Sequence, residues 1–114
     1  MVTADDERLD AVFAALADRT RREIVARLSE GEATVTELAA PHAMTLQAVS
    51  QHIGVLERCG LVSRGRQGQT RPCRLEVHAL ETAVSWIDES RRTWAERMDR
   101  LEAHLAHLQD GEQR

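Results

Sequence analysis

Apolar residues recur at helical spacing in the middle of the chain, most clearly between residues 45 and 61. The repeating positions are Leu46, Val49, Ile53 and Leu56. Steps of three or four place such residues on one side of a helix. Thr45 can cap this helix with its hydroxyl, and Gly60 predicts its end because glycine readily adopts the left-handed conformation found there. The pattern predicts an amphipathic helix with its apolar side against a core.

The other faces of this predicted helix carry amides, hydroxyls and small groups. They hold Gln47, Ser50, Gln51, Gly54 and Arg58. A face that is merely solvated usually carries Glu and Lys, whereas amides and hydroxyls can hydrogen-bond to base edges in a DNA major groove. The make-up of this face therefore indicates DNA reading.

Two helices are predicted near the start of the chain. Their apolar positions are Leu9, Val12, Phe13 and Leu16 in the first, and Ile24, Val25 and Leu28 in the second. The first covers about residues 5–17. Asp18 is a suitable N-cap for the second, which ends at Gly31. Residues 33–35 form either a single bridging strand or a loop.

A short helix begins near Thr36, and Pro41 limits its length. The turn at residues 42–44 then leads into the amphipathic helix. A short helix, a tight turn and a longer helix with a polar outer face form a helix-turn-helix, here at about residues 35–59.

The pattern next changes to that of a β-hairpin, at about residues 61–77. A polar turn at 66–70 precedes a strand in which alternate residues share one face, and Pro72 favours an edge position. That face holds Cys73, Leu75 and Val77. A hairpin after a recognition helix is a wing, and its basic tip suits phosphate or minor-groove contact.

The last predicted helix, at about residues 78–109, carries a heptad seam. The seam consists of Leu80, Val84, Ile87, Trp94, Met98, Leu101, Leu105 and Leu108. Arg91 interrupts it and either pairs with Glu89 or Asp88 or lines a polar pocket at a dimer axis. A helix of about 30 residues spans roughly 45 Å, which is more than so small a domain can cover. The predicted fold is mainly α with a small β-hairpin: five helices plus a wing, dimerising through the first and last helices.

Composition fits one domain over residues 1–114, because 42% of the residues are hydrophobic. No apolar run reaches membrane-spanning length and the acidic N-terminus is unlike a signal peptide, so we expect a cytoplasmic location. The formal net charge is -4. Between Leu61 and Leu75, however, there are arginines and no acid, and the local field governs phosphate contact. These arginines are Arg64, Arg66, Arg71 and Arg74.

The strings LDAVFAALADRTRREIVARL and VTELAAPHAMTLQAVSQHIGVLERCGLV, followed by the arginine-rich hairpin, resemble the ArsR/SmtB family of winged-helix repressors. The resemblance covers about residues 8–105. It implies a homodimeric repressor that binds an imperfect palindromic DNA operator, with Thr45–Cys59 in the major groove.

The same resemblance implies roles by position. Gln47, Ser50, Gln51 and His52 would face the major groove, Arg21 and Thr45 would contact phosphate, and Arg64, Arg66, Gln67 and Arg71 would form the wing. The expected dimer interface holds Leu9, Val12, Phe13, Leu16, Trp94, Met98, Leu101 and Leu105.

The chain also departs from the family pattern. Arg19 stands where Pro is common, and Gly54 stands where a Lys is frequent, which removes one phosphate contact. The family's metal-sensing Cys pair and its His and Asp signatures are absent. The chain is closer to the branch that lacks these ligands and has Trp in the final helix, as at Trp86 and Trp94. We therefore expect no metal and no cofactor, and the sequence does not identify a small-molecule effector.

Several residues keep two interpretations. Cys59 and Cys73 are either small buried residues or, beside nearby arginines, a redox-sensing pair. His104 and His107 either flank the seam or hold zinc with an acid of the same helix. His52 either contacts DNA or lies against the domain body.

The alternative function is a winged-helix module that docks a protein. The polar helix face and the arginine wing argue against it, because protein-docking surfaces are richer in exposed aromatics and Met. There is no nucleophile–base pair, phosphate loop or complete metal site, so we expect no catalytic residues and no enzymatic activity.

Overall fold

The computed structural model describes residues 3–65 and 71–112. Over these residues the chain forms five helices and a two-stranded antiparallel hairpin, which confirms the predicted fold class. The elements are α1 (Ala4–Leu16), α2 (Arg19–Leu28), α3 (Val35–Ala39), α4 (Leu46–Arg58), β1 (Val62–Arg64), β2 (Cys73–Leu75) and α5 (Val77–Glu112). The chain divides by its internal contacts into two compact units, Met1–Ala83 and Val84–Arg114.

Each of the first four helices begins at a side chain that accepts a backbone N–H from the first turn. The cap residues are Thr3, Asp18, Thr34 and Thr45. At α3 the cap is reciprocal, since Glu37 accepts the N–H of Thr34 in return. These caps satisfy donors that a helix end leaves without a partner, so the predicted starts at Asp18 and Thr45 are confirmed.

The core of the first unit lies between α1, α2, α3, α4 and the hairpin. Val49, Ile53 and Leu56 of α4 are all 0% exposed. Burial of one such side chain stabilises the fold by roughly 1.5–3 kcal/mol. Leu46, expected in the same stripe, is 55% exposed, so that part of the prediction is wrong. Leu46 occupies the first position of α4, which lies beyond the edge of the core.

The hairpin pairs Val62 with Leu75 and Arg64 with Cys73. Cys73 also exchanges two backbone hydrogen bonds with Ala33, at 2.7 and 3.2 Å. Residue 33 therefore forms a single bridge, which decides between the two interpretations of that segment. Val77 does not extend the strand as expected.

Val77 is the first residue of α5 and is 52% exposed. The N–H of the preceding residue, Glu76, donates to the carbonyl of Leu61 at 2.8 Å. This bond continues the pairing of the hairpin as far as Glu76, and the helix begins at the next residue. The predicted turn at 66–70 lies outside the described residues.

The second unit consists of α5 beyond Ala83. Its large apolar side chains are exposed in the single chain, among them Val84, Ile87, Trp94, Met98, Leu101, Leu105 and Leu108. Arg91 donates to Asp88 at 3.1 Å, as expected for pairing with an acid of the same helix. No helix in the described part of the chain is long and apolar enough to cross a membrane.

The two leucines of α4 provide a matched stability test. Leu56→Ala should lower the free energy of unfolding by about 2–5 kcal/mol, because it opens a cavity in the core. Leu46→Ala removes the same atoms from a half-exposed site and should change it by less than about 0.5 kcal/mol. Urea unfolding followed by circular dichroism measures both values. Equal losses would contradict the assignment of Leu56 to the core and Leu46 to the surface.

Candidate nucleic-acid interface

The outward side of α4 is a polar stripe. Gln47, Gln51, Gly54 and Arg58 follow at steps of four, three and four, so they share one face of the helix. We call these four residues the reading stripe. Both glutamines are exposed, and the side opposite them is buried in the core. Ser50 lies beside the stripe and is half-buried.

The N-terminus of α4 presents a hydroxyl beside the reading stripe. Thr45 Oγ1 accepts the N–H of Ala48 at 3.1 Å, and the residue is exposed. A hydroxyl that accepts a bond with its oxygen still carries a proton to donate. This geometry is compatible with the phosphate contact expected for Thr45.

Arg21 instead makes its hydrogen bonds within the protein. Its Nε donates to the Ala15 carbonyl at 2.6 Å and its Nη2 to the Ala14 carbonyl at 3.3 Å. Both carbonyls belong to the last turn of α1, where a positive charge is favourable. Arg21 therefore fixes the end of α1, and its geometry offers no support for the expected phosphate contact.

His52 lies against the body of the first unit. Its Nδ1 is 3.3 Å from Nη1 of Arg21 and 4.0 Å from Oδ1 of Asp18. Arginine can only donate, so Nδ1 is the acceptor in this contact. The backbone N–H of Arg21 donates to Asp18 and, as the main cause, holds the pKa of Asp18 below its usual value. Of the two interpretations of His52, the structure supports the packing one.

The wing arginines differ in their hydrogen-bond partners. Arg64 donates to Glu57 of α4 at 3.0 Å, and its side chain is only 20% exposed. Arg74 donates two bonds to Glu32, at 2.9 and 2.7 Å. The sequence did not reveal either acid partner, because both are distant in the chain. These contacts join the hairpin to its neighbours and reduce the positive charge that the two arginines offer to DNA.

Arg71 is exposed and makes no hydrogen bond or ion pair with any other described residue. Its φ is 31°, in the left-handed region that is uncommon for residues with a side chain. Strain of this kind is often found at functional sites. Arg66 and Gln67, the other expected wing residues, lie outside the described residues.

The two cysteines occupy different settings. Cys73 is 0% exposed, and burial is the main cause that raises the pKa of its thiol. Cys59 is half-buried at the end of α4, with Sγ 3.3 Å from the Leu56 carbonyl. A raised thiol pKa leaves little thiolate, which is the reactive form. The structure thus gives a redox pair no support at Cys73.

The described residues contain no group of three or more His, Cys, Asp or Glu side chains placed to hold a metal ion. His104 and His107 are both exposed on α5.

The expected interface residues of α1 differ in how far they are buried in their own subunit. Val12 is only 3% exposed and packs in the core of its own unit. Leu9, Phe13 and Leu16 are partly buried and pack against that core. Val12 therefore has little surface left for a partner, because its own subunit already covers it.

Comparison with known proteins gives the family. A family model described as a helix-turn-helix domain matches residues 16–64. The transcriptional regulator YuzN of Bacillus subtilis is 44% identical over 69% of this chain and 95% of its own. The transcriptional repressor SdpR of the same species is 28% identical over 69% of this chain and 88% of its own.

Solved structures agree. A crystal structure of the ArsR family transcriptional regulator RHA00566 matches with a TM-score of 0.72 and 40% identity, over 77% of this chain and 97% of that one. The homodimeric winged helix-turn-helix DNA-binding domain of Mb0332 from Mycobacterium bovis matches with a TM-score of 0.61 and 27% identity, over 76% and 82%. The chain thus belongs to the ArsR family of winged helix-turn-helix transcriptional regulators.

Proposed function

We propose that this protein is a homodimeric, cytoplasmic transcriptional repressor that binds an imperfect palindromic operator. The observation that carries the proposal is the reading stripe, an exposed face of amides on a helix whose opposite face is fully buried. Such a helix is held rigidly and presents hydrogen-bonding groups that suit base edges. The name of SdpR supports the repressor role, and the homodimeric Mb0332 domain supports the dimer.

In the proposed complex α4 lies in the major groove and the wing contacts the backbone. Gln47 and Gln51 carry amides that can pair with adenine in a bidentate manner, so they contribute sequence choice. Arg71 carries a charge without a described partner, so it contributes affinity through phosphates. A two-fold dimer would address half-sites about one helical turn apart, near 34 Å.

Docking of a protein is the second candidate. One observation favours it: Met44 and Leu46, beside Gln47, are 41% and 55% exposed. Exposed Met is enriched at protein interfaces, although an apolar side chain next to an amide can also contact a thymine methyl group. Selection of bound duplexes from a random DNA library with the purified protein separates the two. Enrichment of a palindromic sequence supports the repressor, and no enrichment supports the docking module.

Gln47 and Arg71 should contribute differently to DNA binding, because an amide and a guanidinium contact different parts of the duplex. Gln47→Ala should cost about 1–3 kcal/mol on the selected operator and little on random duplex, because an amide reads bases. Arg71→Ala should weaken both duplexes and make the salt dependence of log K shallower by about one unit, because a phosphate contact releases counterions. Titration of both duplexes across a salt series measures these effects. The opposite pattern, with Arg71→Ala acting only on the operator and Gln47→Ala on both, would require the assignment to be abandoned.

The dimer should depend on the exposed seam of α5. Replacing Leu101 and Leu105 by Glu should give monomers or aggregates, because burial of a leucine seam between two copies cannot tolerate unpaired charges. Replacing Ala103 and Ala106 by Glu adds the same charge off the seam and should leave a dimer. Sedimentation velocity at micromolar concentration distinguishes the species. A wild-type protein that sediments as a monomer would contradict the proposed dimer.

Metal ions should not act as effectors. Stoichiometric zinc, cadmium or arsenite should leave the operator complex intact, because the metal signatures of the sequence are incomplete. Fluorescence anisotropy of labelled operator is the measurement. Release that is abolished by His104→Ala with His107→Ala, or by Cys59→Ser with Cys73→Ser, would show that a metal site had been overlooked.

A further inference from the structure

The reading stripe ends in a residue that the expected DNA contacts did not include. Arg58 is exposed at the last position of α4 and shares a face with Gln47 and Gln51. Position 58 is seven residues beyond Gln51, which corresponds to about 10 Å along the helix axis. A side chain that pointed past the end of α4 would be remote from the amides.

Gly54 determines where the Arg58 side chain lies. A Cβ built on Gly54 would be 3.3 Å from Nη1 of Arg58. Apart from the local helix backbone and the two residues next to Gly54 in the chain, no other described atom comes within 4 Å of that position. The guanidinium therefore lies back over Gly54, roughly one helical turn closer to Gln51 than its own Cα is. The absence of a side chain at position 54 leaves this surface of α4 open to it.

The charge of Arg58 forms no ion pair within the described part of the protein. Arg58 borders a groove that Asp5 and Glu57 also line, but no described residue forms a hydrogen bond or ion pair with it. Glu57 is engaged by Arg64 at 3.0 Å. The Arg58 guanidinium thus keeps its N–H donors for an external anion.

We propose that Arg58 binds a DNA backbone phosphate at the edge of the major groove, with its guanidinium above Gly54. The proposal rests on the proposed function, since it requires α4 to lie in that groove. The major groove is about 12 Å wide and is bordered by phosphates, so a long side chain on the reading stripe reaches the strand. A guanidinium matches phosphate with two parallel hydrogen bonds. Arg58 thereby places a positive charge above Gly54, one helical turn from its own Cα.

The first test removes the side chain. Arg58→Ala should weaken operator and random duplex alike by about tenfold and make the salt slope shallower by about one unit, because a phosphate contact carries no sequence information. Arg8→Ala is the matched control, since Arg8 borders the same groove from α1 and also lacks a partner among the described residues. It should leave the slope unchanged. Circular dichroism confirms that both variants are folded.

The second test moves the charge. In the Arg58→Ala background, Gly54→Lys places an ammonium where the guanidinium lay, and the only described side chain near that position has been removed. The double variant should recover the wild-type salt slope and most of the lost affinity, because lysine also binds phosphate as a point charge.

The results separate this proposal from the function on which it rests. If the wild-type protein selects no DNA, the proposed function fails. If the wild-type protein binds its operator and Gln47→Ala weakens that binding, but Arg58→Ala keeps the wild-type slope, only the role of Arg58 is overturned. A double variant no better than Arg58→Ala would overturn the position of the phosphate above Gly54.

Discussion

The burial of one side of α4 determines the orientation of its polar side. Val49, Ile53 and Leu56 are fully buried, and together they fix the rotation of the helix about its axis. Since a helical residue turns by a fixed angle from its neighbour, that rotation also fixes the direction of Gln47 and Gln51. Sequence reading by amides requires accurate placement, because a bidentate pair with a base tolerates little displacement. Core packing and the proposed readout are thus two consequences of the same helix.

Side-chain contacts between elements extend this rigidity beyond the apolar core. Arg21 joins the end of α1 to α2 and touches His52 of α4, while Arg64 joins the hairpin to Glu57 of α4. Exposed ion pairs contribute little to stability, but a half-buried arginine that bonds to a neighbouring element restricts geometry. The contacts converge on α4 from both sides in the sequence. They position the helix and the base of the wing. Because Arg21 and Arg64 use N–H donors in these contacts, fewer donors remain for DNA.

The sequence predicted the elements well because each had a local signal. The periodicity of α4, the caps Asp18 and Thr45 and the glycine at 60 all lie within one turn of the feature they specify. Contacts between distant residues had no such signal. The acids that pair with Arg74 and Arg64 are 42 and 7 residues away, so the sequence did not show that these arginines bind within the protein.

Two other predictions were wrong because the periodicity of a sequence does not show where the core, or a strand, ends. Leu46 follows the apolar stripe but lies beyond the core, and Val77 follows the strand alternation but begins a helix. The reading stripe and its exposed glutamines were predictable, because the stripe is the complement of the buried positions. The position of Arg58 over Gly54 was not, because the path of a long side chain depends on the space its neighbours leave.

The screening of charge by salt explains how an acidic chain can be a DNA-binding protein. A net charge of -4 repels a polyanion at long range, yet at physiological ionic strength the field of exposed charges decays within about 8 Å. Contact therefore depends on the few charges nearest the phosphates, and Arg64 and Arg74 are already compensated by acids. Arg71 and Arg58 are the described cations on the wing and on α4 that keep their charge. In the proposed complex, where few described cations are free of an ion pair, the amides of α4 would have a proportionally larger influence on which sequence is bound.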